Sequence, residues 1–389
     1  MIEASTDALK LFLPIVVDEK RGVDFSASAA TNGSRTLLEF LLLPATGGSF
    51  LLASTSSSAS FRAGLQGLPI SRPIWRFGRL VLGTLSRVGL HRFLGLKKVQ
   101  VSVEMALDTD PIDFSLQSGV PGGGQKLIVR EHGPNGHLEA FWKVGRSGLP
   151  AHLVQAECAA LKWLANHKQG APLSPVLLSS GVDDRRAWLR MTAIQGAAVP
   201  AESAELVSEF TARLASLESC SSTIESSAWL QRMEHRLGEI EGASPSVASL
   251  CRKALQWLCE TAGDGTFHFH PAHGDLTPWN ALARSGQLFA FDWEFFQVAA
   301  PAGFDHFHWT LQVAILTRRA TASQVRGQLQ KSFEHLCGAD AADGERYLAM
   351  YLVDALSREE HVFLSGKPNF PQVAWLLECR TQLLEQVIG

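Results

Sequence analysis

The hydrophobic period changes partway along this chain, and that change limits its fold more than any other feature. From about Ile112 the runs FSLQSG, QKLIVREHG and HLEAFWKVG alternate apolar with polar residues, divided by the Gly/Pro-rich stretches VPGGG and GPNG. Alternation of period two between such breaks predicts an antiparallel meander. AHLVQAECAALKWLANH then moves to steps of three and four, with Leu153, Ala156, Ala160, Leu161 and Leu164 on one side, which predicts a helix. PVLLSSG and RRAWLRMTAIQG return to strand texture around a DDRR turn. Beyond Gly196 the chain reads as mainly helical, except over 266–294, where TFHFHPAHGD, NALAR and QLFAFDW read as strands joined by tight loops. A small β-rich part followed by a larger α-rich part predicts a bilobal α+β chain.

The 389 residues allow two or three globular units with a sizeable core. A net charge of −3 argues against a polycation that coats nucleic acid, so no nucleic-acid partner is expected. Cys158, Cys220, Cys251, Cys259, Cys337 and Cys379 form no C-x-x-C pair and no zinc spacing, which fits a reducing compartment. The opening MIEASTDALKLFLPIVVDEK has acids on both sides of a short apolar run, without the basic start of a signal peptide. No uncharged apolar stretch reaches spanning length. These features together predict a cytoplasmic protein.

Residues 1–108 read as an N-terminal extension with a marked charge asymmetry. Between Glu39 and Glu104 there is no acid, whereas Arg62, Arg72, Arg76, Arg79, Arg87, Arg92, Lys97 and Lys98 all fall there. The Ser/Ala/Gly-rich stretch 50–68 reads as irregular or loosely packed. From Pro73 to Leu96, Ile74, Phe77, Val81, Leu85 and Val88 recur at helical steps with most arginines off that stripe. Such a basic amphipathic helix over 72–98 can rest on an anionic membrane surface or dock on its own protein. Both readings stay open at this level.

The segment that carries chemistry is His273-Gly274-Asp275-Leu276-Thr277-Pro278-Trp279-Asn280, followed by Phe291-Asp292-Trp293-Glu294. Gly274 permits a tight backbone and Pro278 fixes a turn. A hairpin around Arg284-Ser285-Gly286 folds Asp292 back beside Asn280. One carboxylate and one amide carbonyl are hard oxygen ligands suited to Mg²⁺ that also meets substrate phosphates. Asp275 lies close enough in sequence to take a proton from an attacking hydroxyl.

These residues resemble the aminoglycoside phosphotransferase and choline kinase-like family, which shares the protein-kinase fold. Its pattern, H-G-D-x-x-x-x-N followed by a strand ending in Asp, stands here as HGDLTPWN and FDWE. The resemblance implies a kinase-like N-lobe over 109–195 and a helical C-lobe over 196–389. It implies ATP and Mg²⁺ as cofactors, with Asp275 as the base and Asn280 and Asp292 as metal ligands. His273 then fixes the loop through hydrogen bonds and does not act as a base. Lys143 takes the place of the lysine that holds ATP phosphates, and Glu157 that of its helix partner. Gly122, Gly123 and Gly124, with Gly119, fall where the phosphate-covering hairpin belongs, and the backbone around Thr192–Ile194 falls where adenine is met. Asp305 matches a family aspartate that caps a helix. His268 and His270 alternate with Phe267 and Phe269, as strand residues do.

The implied activity is transfer of the γ-phosphoryl group to a hydroxyl of a small molecule. Gly274 replaces the arginine that reads a phosphorylated activation loop, and few residues separate Asp292 from Pro301, so the site is expected to be constitutively assembled. The basic extension points to a sugar or lipid-linked sugar acceptor of envelope or polysaccharide metabolism. Adenylylation on the same fold, or a non-catalytic scaffold, are the competing readings.

Overall fold

The computed structural model describes residues 17–18, 22–25, 35–44, 50–54, 61–62, 64–65, 80–85, 98–104, 113–119, 123–133, 136–167, 173–184, 186–330, 341–366 and 371–389. The chain forms two compact units, Met1–Val154 with Leu177–Ala193, and Gln155–Val176 with Ile194–Gly389. The first is built on a β-sheet and the second is mainly helical, so the α+β class predicted from hydrophobic period is the one observed.

The sheet unit holds β1 (Val17–Asp18), β2 (Gly22–Phe25), β3 (Arg35–Pro44), β4 (Phe50–Ser54), β5 (Lys98–Glu104), β6 (Asp113–Ser118), β7 (Leu127–His132), β8 (Leu138–Arg146), β9 (Leu177–Asp183) and β10 (Arg186–Thr192). They lie in one ten-stranded sheet in the order β1-β2-β5-β3-β4-β6-β7-β8-β10-β9. The boundary expected near residue 108 therefore falls inside a continuous sheet, where Leu51–Ala53 pair with Ser115–Gln117.

The expectation that 50–68 is irregular is corrected at its described residues, 50–54, 61–62 and 64–65. Phe50–Ser54 is a strand, and Leu51, Ala53, Phe61 and Leu65 are buried together. Gly64 and Ala53 meet closely there: a Cβ on Gly64 would stand 2.8 Å from that of Ala53. Of the helix expected over 72–98, residues 80–85 are helical and Lys98 opens β5, while 72–79 and 86–97 lie outside the described residues. Leu82 packs on the Leu51 cluster, whereas Leu80 is exposed.

The buried carboxylate of Glu131 in this sheet is paired. Glu131, 1% exposed, accepts from Arg190 through Nε at 2.9 Å and Nη2 at 2.5 Å. Its Oε2 also accepts from Trp142 Nε1 at 3.0 Å. Such a carboxylate is tolerable in a sheet only because its lone pairs are used.

The helical unit contains most of α1 (Leu149–Asn166), then α2 (Ala204–Ala215), α3 (Ala228–Ile240), α4 (Pro245–Ala262), α5 (Phe304–Arg318), α6 (Ala322–Gln330), α7 (Ala341–Phe363) and α8 (Pro371–Ile388). Two three-stranded sheets accompany them. One joins β11 (Ala197–Ala198), β14 (Ala281–Arg284) and β15 (Gln287–Ala290). The other joins β12 (Cys220–Ser222), β13 (Phe267–Ala272) and β16 (Gln297–Pro301).

The core centres on α7, where Tyr347 through Leu356 are buried on every side. A helix apolar all round can only be a central one. Its one acid in that stretch, Asp354, is neutralised by Arg236 Nη1 at 2.9 Å. Among the described residues no helix is long and apolar enough to cross a membrane.

Candidate active site

Strand β13 delivers the chain to His273, which is fully buried, and the loop His273–Asn280 follows. Three neighbours fix this loop. The Asp305 carboxylate accepts from the backbone N–H of His273 at 2.7 Å and of Gly274 at 2.9 Å. Arg358 Nη1 donates to the Gly274 carbonyl at 2.6 Å, with its guanidinium 4.7 Å from the Phe295 ring. His273 Nδ1 accepts from the Asp275 N–H at 3.2 Å, so Nε2 carries the hydrogen and donates to the Phe291 carbonyl at 3.0 Å.

Both nitrogens of His273 are thus committed to backbone. Gly274 has φ of 85°, and a Cβ there would stand 2.0 Å from the Phe295 carbonyl oxygen. Only glycine fits this position. Asp305, expected to cap its helix, instead reaches from the first turn of α5 into the loop, and Gly303 occupies the N-cap position.

Asp275 is held at both oxygens. Oδ1 bonds His308 Nε2 at 2.8 Å, and Oδ2 accepts from Asn280 Nδ2 at 2.8 Å. The same Asn280 amide nitrogen meets the Asp275 carbonyl at 3.0 Å. Burial pushes the Asp275 carboxyl up, but the His308 hydrogen bond and the nearby Arg358 guanidinium outweigh it. The net effect holds it below its ordinary value. Its side chain remains 30% exposed, so it is an ionised acceptor within reach of solvent. His308 itself is buried and its pKa falls to about 4, because desolvation outweighs the pull of Asp275. Burial raises Asp305 to about 6 against its two backbone bonds.

The β14–β15 hairpin turns through Ser285 at φ 52° and Gly286 at φ 76°, both in the left-handed region that a tight two-residue turn requires. This brings the Phe291 N–H to the Asn280 carbonyl at 3.0 Å. Asp292 follows immediately with φ of 66°, a strained conformation for a non-glycine residue of the kind that clusters at functional sites. Glu157, Asp292 and Glu294 bring carboxylate oxygens within 4.8 Å of one another. The Asn280 amide points its nitrogen at Asp275, so its oxygen faces away. A carboxylate group of this kind with an amide oxygen is a hard donor set, and it fits a divalent cation such as Mg²⁺.

The sequence-predicted residues therefore divide into those one unit gathers and those in the other. His273, Asp275, Asn280, Asp292 and Glu157 all lie in the helical unit, as does Ile194. Glu157, on α1, is fully buried. Lys143, 4% exposed, lies in the sheet unit at the middle of β8, opposite Ile128 and Leu189. Thr192 ends β10 opposite Ala140. In the glycine-rich hairpin, the Gly119 N–H donates to the Lys126 carbonyl at 2.7 Å. Gly124 lies against Leu153, 3.1 Å from where its Cβ would be, Gly123 is in the turn, and Gly122 lies outside the described residues. Sequence reasoning missed His308, Tyr351, Arg358 and Arg380. Nothing in their local spacing marks them, and a histidine, tyrosine or arginine in an apolar helix is the one signal available.

A family model described as the phosphotransferase enzyme family matches residues 122–333. No curated protein matches the chain in sequence. Among solved structures, a thermostable mutant of an aminoglycoside phosphotransferase in its apo form is similar at 14% identity and a TM-score of 0.46, over 70% of this chain and 95% of that one. A choline kinase from Streptococcus pneumoniae is similar at 13% identity and a TM-score of 0.43, over 67% of this chain and 89% of that one.

Proposed function

This chain belongs to the phosphotransferase enzyme family, and from that membership together with the site geometry we propose that it moves the γ-phosphoryl group of ATP to a hydroxyl of a small molecule. The observation that carries this reading is the Asp275 carboxylate, ionised, clamped by His308 and by Asn280 at 2.8 Å each, on a loop whose Asn280 is laced to the strand end bearing Asp292. Asp275 orients the acceptor hydroxyl and takes its proton as the oxygen attacks phosphorus. Asn280 Oδ1 and Asp292 would hold Mg²⁺, with Glu157 and Glu294 beside Asp292. When bound there, Mg²⁺ would supply charge neutralisation on the phosphates. His273 keeps the loop in place and takes no proton.

The nucleotide assignments rest on family membership alone. They are Lys143 with Glu157 for the α/β-phosphates, Gly122, Gly123 and Gly124 for the phosphate cover, and the backbone of Thr192 and Ile194 for adenine. Among the described cysteines, Cys158, Cys220, Cys251, Cys259 and Cys379 are free thiols, which suits the cytoplasm, where ATP is supplied.

For the acceptor we favour a sugar or lipid-linked sugar, because the acid-free, arginine-bearing segment between Glu39 and Glu104 suits an anionic surface. Flotation with anionic and neutral liposomes tests that contact, and equal binding to both removes it.

A screen of hydroxyl compounds read by ADP release, with Asp275→Asn as the blank, tests the reaction itself. Transfer of label from γ-³²P-ATP supports it, and transfer from α-³²P-ATP makes the protein a nucleotidyl transferase. Absence of any Mg-ATP thermal stabilisation leaves a scaffold.

A further inference from the structure

A buried chain of polar groups runs from α8 through α7 and α5 to the loop, and its direction can be read from the chemistry of its ends. Arg380, fully buried, donates through Nη1 to Glu359 and through Nη2 to Tyr351 Oη at 3.2 Å. Tyr351 Oη lies 3.2 Å from His308 Nδ1, and His308 Nε2 lies 2.8 Å from Asp275 Oδ1. Arginine has only donors and an ionised carboxylate only acceptors. Tyr351 therefore accepts from Arg380 and gives its own hydrogen to His308 Nδ1. The imidazole can then carry hydrogen only on Nε2, and that hydrogen points at Asp275. The Gln312 amide sits 3.3 Å from Nε2, a contact usable only with its oxygen turned toward the ring.

We propose that His308 is a positioning residue for the transfer reaction, locked as the Nε2–H tautomer by Arg380 and Tyr351 so that it fixes one oxygen of the Asp275 carboxylate while Asn280 fixes the other. This rests on the phosphotransfer reading for its consequence, though not for its geometry. Two bonds, one per oxygen, stop the carboxylate from rotating, and leave one lone pair on each oxygen for an incoming hydroxyl. The other tautomer would present a lone pair to the carboxylate and repel it. The whole chain is made in the folded protein before any substrate arrives, so its loss is felt in turnover and not in nucleotide affinity.

The test uses the full-length protein labelled with ¹⁵N-histidine, the His308 signals being assigned by their loss in His308→Gln. The expected spectrum shows a protonated Nε2 and an unprotonated acceptor Nδ1, and Tyr351→Phe shifts the Nδ1 signal toward that of an imidazole nitrogen without a donor while Nε2 stays protonated against Asp275. In parallel, ADP release from Mg-ATP with water as acceptor is measured for folded variants. His308→Leu and Tyr351→Phe lower kcat about tenfold or more with KM for ATP unchanged, and His308→Gln, which keeps an amide N–H donor, regains most of it. An Nδ1–H tautomer in the wild type, or unchanged kcat in His308→Leu and Tyr351→Phe while Asp275→Asn is inactive, overturns the proposal. If Asp275→Asn itself turns over normally, the phosphotransfer reading fails instead, and the imidazole spectrum still decides the hydrogen-bond chain.

Discussion

Asp305 accepts the backbone N–H groups of His273 and Gly274, one on each carboxylate oxygen, at 2.7 and 2.9 Å across 32 and 31 residues of chain. A single buried side chain thus satisfies the two donors that open the loop. Asp305→Ala leaves both unpaired, at a cost of about 2–4 kcal/mol. Asp305→Asn keeps one acceptor and is expected to lose less. Urea unfolding of the two variants against the wild type measures the difference, and equal losses would mean that the carboxylate serves some other contact.

Gly274 is expected to tolerate no side chain. Its φ of 85° and the 2.0 Å approach of the Phe295 carbonyl act together, so Gly274→Ala must move the backbone of one segment or the other. A loss of at least about 3 kcal/mol follows, with activity abolished in whatever folds. Gly286→Ala, at φ 76° with nothing within 4 Å of its Cβ, pays only for the dihedral and serves as the control.

Protonation of His308 makes stability depend on pH with a definite sign. Its pKa falls from 6.5 to about 4 in the fold, so between those values the unfolded chain binds more protons. The contribution is full above 6.5 and is lost as pH falls through the window, amounting to about 2 kcal/mol by pH 5. Asp305, raised to about 6, runs the opposite way, losing its contribution as pH rises, so the two partly cancel in the wild type. The difference between wild type and His308→Gln isolates the imidazole. From pH 7 to pH 5 that difference in unfolding free energy should move by about 2 kcal/mol in the variant's favour, and a constant difference would show an ordinary histidine.

Asp275→Asn should fold normally and lower turnover by at least about 10²-fold, the usual cost of removing a general base. Asp292→Ala should instead abolish the Mg²⁺-dependent part of nucleotide binding, read as the thermal shift with AMP-PNP with and without the metal. Identical phenotypes for the two would argue that they do not have separate roles.

The parts of the site that were legible in the sequence are those set by local geometry. Asp275 and Asn280 are five residues apart on one loop, and the two-residue turn at Ser285–Gly286 dictates that Asp292 returns beside Asn280. Spacing alone fixes such contacts, because a tight turn or a strand pairing has few alternatives. The same logic made the meander of β6, β7 and β8 readable from alternation. It failed at the described residues of 50–68, where a stretch that reads as loose forms a strand and buries Leu51, Ala53, Phe61 and Leu65 together.

Only the tertiary structure decided what surrounds Asp275. Arg358 reaches Gly274 across 84 residues, Tyr351 meets His308 across 43, and Arg380 meets Tyr351 across 29. Each sits in a helix where spacing predicts a face but not a partner. A buried polar group must find its complement wherever packing brings one, and that depends on how α5, α7 and α8 lie against one another. The sequence determined which residues could do chemistry and which would be neighbours along the chain. The packing of distant helices determined the hydrogen-bond partners, the charge and the orientation of the Asp275 carboxylate.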